Sequence, residues 1–165
     1  MEGFDERRFQ YRFFNKYERD DFKLTQYGYH RWSKETAHAP TIKDSYVLHI
    51  VLEGKGFVRV KNKQYQVLPG NAFLIRPGEL IDYYSDKNNI WSYIWLGVEG
   101  NSAEEFFFRY GFDEFNYVLP LTGVDELRAI IADMLSRPET NAPDLYTVAK
   151  TYEFLSCFAS KISDR

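Results

Sequence analysis

Between residues 45 and 100 the chain alternates apolar and polar positions with a period near two, or gathers them into short apolar runs, and turn residues interrupt it repeatedly. Its centre is Leu68-Pro69-Gly70-Asn71-Ala72-Phe73-Leu74-Ile75-Arg76-Pro77-Gly78. Proline presets the backbone for the first corner of a turn and glycine accepts the positive φ that follows, so this segment reads as a strand between two Pro-Gly turns. Before it, residues 46–52 form an apolar run rich in β-formers, and Gly54-Lys55-Gly56 supplies a turn. Residues 57–61 alternate like a half-buried strand, and 64–68 return after a polar break. Beyond Gly78, 81–85 and 91–99 read as two more strands separated by the polar loop 86–89. About six short strands with tight turns predict an antiparallel barrel or sandwich rather than a parallel α/β sheet. The mouth of such a barrel is a natural ligand site.

Upstream, residues 22–32 read as a first strand containing Gly28, followed by a turn-rich connection over 33–44. Beyond Gly100 the apolar period lengthens to nearly four. Ser102 can cap a short helix over 103–110, with Glu104 and Glu105 in its first turn and Gly111 stopping it. Residues 115–121 are extended. Thr122 and Asp125 resemble a capping pair for a helix to Ser136, with Leu127, Ile130, Ile131, Met134 and Leu135 on one face. A longer helix spans 144–162. Its stripe is Leu145, Val148, Ala149, Tyr152, Leu155, Ala159 and Ile162, and a second edge carries Phe154 and Phe158. Apolar residues on more than one edge predict one face packed within the domain and another on a partner chain, so Tyr152, Leu155 and Phe158 are the candidate dimerisation residues.

Composition narrows the picture. A chain of 165 residues is one domain with room for a substantial core. Its net charge of −3 points away from a nucleic-acid surface. The first 21 residues interleave Arg and Lys with Phe and Tyr, a pattern used on single-stranded nucleic acid, but acidic residues in the same stretch cancel most of that field. An arm that packs its rings on the barrel fits better. One cysteine, Cys157, permits no internal disulfide and reads as a small packed residue of a reducing compartment. Neither a signal peptide nor an apolar run long enough to span a bilayer is visible, so a soluble cytoplasmic protein is expected, with no membrane partner.

Three segments, in order, carry a resemblance: Tyr46-Val47-Leu48-His49-Ile50-Val51-Leu52-Glu53-Gly54-Lys55-Gly56, the 68–78 segment above, and Trp91-Ser92-Tyr93-Ile94-Trp95-Leu96-Gly97-Val98-Glu99-Gly100. Together they are similar to the cupin-type sensor domain of AraC-family transcription regulators. The resemblance implies a mainly β fold: a cupin-like antiparallel barrel of the jelly-roll type over 22–100, preceded by an arm over 1–21 and followed by an α-helical dimerisation part over 101–165. It also implies a small-molecule effector, a mono- or oligosaccharide, and a homodimer. DNA would be reached only through the family's helix-turn-helix domain, which has no counterpart in these residues.

Trp91, Tyr93 and Trp95 alternate onto one strand face. By resemblance, Tyr83, Tyr93 and Trp95 match sugar-contacting positions. His49, inside a strand, and Arg31, standing for the family's sugar-binding arginine, complete the candidate set. No metal site is expected. Metal-dependent cupin enzymes need His-x-His, an acid and a further His, whereas Ile81 stands where that last His often lies, and His30, His38 and His49 match no ligand spacing. No nucleophile motif or phosphate loop occurs either. The reading is therefore a sugar-sensing domain of a bacterial regulator, without cofactor or catalytic residue; the alternative is a cupin-fold enzyme acting on a sugar, isomerase-like.

Overall fold

The computed structural model describes residues 9–14 and 21–163. The remaining N-terminal arm positions, and with them most of the interleaved basic and aromatic stretch, lie outside the described residues. The elements in chain order are β1 (Gln10–Phe13), β2 (Lys23–Arg31), β3 (Tyr46–Glu53), β4 (Gly56–Val60), β5 (Lys63–Val67), β6 (Asn71–Ile75), β7 (Ile81–Ser85), β8 (Ser92–Glu99), α1 (Ala103–Arg109), β9 (Val118–Pro120), α2 (Asp125–Ser136) and α3 (Leu145–Ser160).

The strands form two separate antiparallel sheets rather than one continuous ladder. One holds six strands in the order β1-β2-β8-β3-β6-β9, the other three in the order β5-β4-β7. Both Pro-Gly turns are present, with Gly70 at φ 84° and Gly78 at φ 76°. Lys61 and Asn62, at φ 49° and 60°, make the two-residue loop between β4 and β5, the twist that tight hairpins favour.

The large sheet is covered on both faces. Val47, Val51, Phe73 and Ile75 on one side meet Val58, Val60, Val67 and Ile81 of the small sheet. Leu48, Ile50, Ile94 and Leu96 on the other meet Phe107 of α1, Leu127 and Ile131 of α2, and Phe154 and Phe158 of α3. A strand with no solvent face has no polar positions to alternate, which is why β3 and β8 read as unbroken apolar runs.

Three helix readings change. Neither Ser102 nor the residue before α2 makes a side-chain cap, and the Thr122 amide instead donates to the Lys161 carbonyl. Asp144 does cap α3, accepting from the Thr147 amide at 2.9 Å. The buried face of α3 is Thr147, Thr151, Phe154, Leu155 and Phe158, while Leu145 is 84% exposed. The threonines mislead because the Thr151 hydroxyl is satisfied inside the helix by the Thr147 carbonyl (2.8 Å), freeing its methyl to pack. Leu155 and Phe158, 3% and 0% exposed, belong to the domain's own core and cannot meet a partner chain; Tyr152 is half-buried and donates to Asp21.

Candidate functional site

Strand alternation sends Tyr93 and Trp95 of β8, His49 of β3, Gln26 and His30 of β2, and Trp32 just past the end of β2, into the space between the sheets. Tyr83 of β7 closes the far side, Phe9 and Phe13 come from the arm, and Thr36, Ala37 and Lys43 come from the 33–44 connection. Together they line a cavity of about 240 Å³. A larger groove of about 760 Å³ runs outside the sandwich, between Tyr46 and Arg76 on the sheet and Phe107 and Phe112 near α1. The smaller cavity is the stronger candidate, because it gathers the buried Gln26 and His49 side chains inside an aromatic wall.

The aromatic packing is continuous. His49 stacks on Phe73 with ring centres 4.6 Å apart and planes 5° from parallel, and Trp95 faces it at 6.0 Å. Phe9 lies over Trp95 at 5.8 Å and over His30 at 4.4 Å, so the described arm covers the cavity with a ring, although Phe9 itself is half exposed. Behind the lining, Trp32 Nε1 donates to the Tyr93 hydroxyl (3.0 Å) and Trp95 Nε1 donates to Gln26 Oε1 (3.0 Å), which fixes both indoles.

The electrostatics follow from burial. Desolvation pushes the Tyr93 phenol well above its ordinary range and raises Tyr83, so both stay protonated and the two hydroxyls are hydrogen-bonding neighbours. Burial holds His49 down to about 3, with the Lys43 ammonium adding to the effect, and holds His30 down to about 4. Both rings are neutral near pH 7. His49 Nδ1 is buried without a hydrogen-bond partner of good geometry, although the Val47 backbone lies near enough to offset part of the shift. The neutral His49 ring lines the cavity, where a ligand hydroxyl can meet it.

The structure thus brings four of the five sequence candidates together: Tyr83, Tyr93, Trp95 and His49. It leaves out Arg31, which is exposed and shares the parity of Tyr27 and Tyr29, on the opposite face of β2. Its neighbours His30 and Trp32 point inward instead. The antiparallel register pairs Gly28 with Trp95 and His30 with Tyr93, so it is this pairing, with the parity of Trp95, that selects them. Lys43 and Thr36 carry no such signal, since they sit in an irregular connection. Among the described residues no group of three or more His, Cys, Asp or Glu side chains is placed to hold a metal, and no helix is long and apolar enough to cross a membrane.

The profile of the AraC-like ligand-binding domain matches residues 23–155. The chain belongs to this family. Among curated relatives, this AraC-like domain is 33% identical over 93 residues to the Msm operon regulatory protein of Streptococcus mutans serotype c, covering 55% of this chain and 34% of that protein. It is 22% identical over 144 residues to the lactose operon transcription activator of Staphylococcus xylosus, covering 86% and 52%. A third match, 37% identical over 57 residues, is to the raffinose operon transcriptional regulatory protein of Pediococcus pentosaceus, covering 34% and 21%. The AraC-like domain therefore spans about half or less of the length of these relatives. Among solved structures, the Escherichia coli protein YhaK superposes with a TM-score of 0.53 at 16% identity, over 72% of this chain and 53% of that one, a likeness of fold.

Proposed function

We propose that this chain is the effector-binding part of a transcription regulator of sugar uptake or breakdown, holding a small carbohydrate in the aromatic cavity without transforming it. The observation that carries the reading is the neutral, buried His49 ring set against the Trp95 indole in one cavity. A pyranose has one apolar face of C–H groups and a rim of hydroxyls, so it needs a flat ring to stack on and directed polar groups at its edge. Trp95 answers the first need; His49, Tyr83 and Tyr93 answer the second. The names of the relatives, operon regulators in each case and two of them for lactose and raffinose, support the same reading. In this reading the protein works in the cytoplasm as a homodimer, with the contact on exposed positions of α3 such as Leu145, and reaches DNA through a part of the regulator outside this chain.

The test is a panel of mono- and disaccharides followed by thermal shift, because a ligand at a hundred times its Kd stabilises by about 2.7 kcal/mol. Calorimetry then compares Tyr83→Phe and Trp95→Ala with the parent. Tyr83→Phe should weaken binding about tenfold if its hydroxyl meets the sugar, and Trp95→Ala should weaken it further by removing the stacking surface. Tyr93→Phe is a poorer probe, since it orphans Trp32 Nε1. If both variants fold and bind as tightly as the parent, the cavity is core and the reading fails.

A further inference from the structure

Formal charge in the cavity lining is one-sided, with the Asp82 carboxylate acting on Tyr83 only from outside it. Among the described residues that line the cavity there is no Asp or Glu, and Lys43 is the only Lys or Arg. The two lining histidines are neutral, and the third histidine, His38, stands outside the lining with its Nδ1 2.9 Å from Asp82 Oδ1. Lys55, Lys61, Lys150 and Lys161 each face a carboxylate within 4 Å, whereas Lys43 has no ion-pair partner among the described residues. Its position is built in. The Lys43 carbonyl accepts from the Gly78 amide at 2.9 Å, which ties this end of the connection to the second Pro-Gly turn, and the side chain is half-buried at the cavity. Its ammonium is near enough to the buried His49 ring to act on its titration.

A cation beside a low-dielectric aromatic cavity, with no counter-charge of its own, raises the local concentration of anions and strengthens any pairing made there. The cavity's volume, about 240 Å³, lies below the roughly 300–1,000 Å³ of sites for drug-sized ligands, which limits the enclosed part to a single ring.

We infer that the enclosed ligand is a single-ring sugar carrying one anionic group, a carboxylate as in a hexuronate or a phosphate monoester, with the ring on Trp95 and the anion on Lys43. This rests on the sugar-sensing reading above. The same chemistry makes Lys43 the residue that separates acidic sugars from their neutral parents.

Calorimetry on the full chain, with glucose, galactose, glucuronate, galacturonate, the two hexose 6-phosphates and inorganic phosphate, decides the matter. At least one acidic sugar should bind tenfold or more tighter than its neutral parent. Lys43→Gln should abolish that advantage, and Lys43→Arg should restore most of it. The half-exposed side chain makes these variants safe for folding, which circular dichroism checks. Whether uronates or hexose phosphates show the effect identifies the anion. Neutral sugars binding as tightly as acidic ones, with Lys43→Gln unchanged, would overturn the inference and leave the sugar-sensing reading standing. Inorganic phosphate binding as well as the hexose phosphates, with the same Lys43 dependence, would overturn it too, as an anion site without a sugar. No response to any sugar removes the sugar-sensing reading itself.

Discussion

The Trp95 indole lies where a side chain on Gly28 would be: a β-carbon built there meets Cη2 and Cζ2 of Trp95 at 2.6 Å and the Gln10 carbonyl closer still. Gly28 is the register partner of both Trp95 and Tyr11, so one missing methyl lets the indole lie across β2 and the arm strand approach it. Gly28→Ala should therefore displace the ring, the arm or both. An overpacked site of this kind typically costs about 1–3 kcal/mol. A lowered Tm with a shifted tryptophan emission is the expected outcome; an unchanged Tm would mean that Trp95 has another rotamer to occupy.

Acid should weaken the domain through the cavity histidines. Burial holds His49 to about 3 and His30 to about 4, against 6.5 for both in the unfolded chain. Between those values the unfolded chain binds protons that the folded one refuses. The contribution is thus complete above pH 6.5 and is lost as pH falls through the window toward 4 and 3, at up to about 1.4 kcal/mol per pH unit for each fully refused proton. Lys43 reinforces the effect on His49. Melts over this window should fall less steeply in His49→Gln than in the parent, whatever the two stabilities at pH 7. Parallel curves would mean that the buried ring takes up a proton.

The two faces of α3 should respond in opposite ways. Phe158→Ala removes a ring with no exposed surface from between the helices and the sheet, and should cost about 3–5 kcal/mol. Leu145→Glu changes a residue 84% exposed and should leave stability within about 0.5 kcal/mol. Denaturant unfolding measures both. Light scattering on Leu145→Glu also asks whether this flank carries a dimer contact, a question that substitution at Leu155 or Phe158 would confuse with unfolding.

Much of the fold was legible because its signals are local. The Pro-Gly turns and the alternation of β4 each depend on a few neighbouring residues. The cavity was legible from β8, where Trp91, Tyr93 and Trp95 fix a face. What escaped required distant partners. Arg31 and His30 differ by one position, and only the pairing of β2 with β8 says which of them faces inward. The buried face of α3 escaped because a threonine with an internally satisfied hydroxyl packs like an apolar residue. Lys43 escaped because no period governs the connection that carries it.

β8 is hydrogen-bonded along both edges and packed on both faces. A strand gripped on four sides opens only when the whole domain does, so the cavity has a stiff floor. Its rim is softer: β1 is an edge strand paired on one side only, and the 33–44 connection is irregular. Binding energy spent here cannot flex the floor toward the helices, and mechanical news of a ligand has to leave by the rim. Amide exchange should accordingly show β8 opening at the global rate with or without ligand, while the amides of β1 slow when the cavity fills.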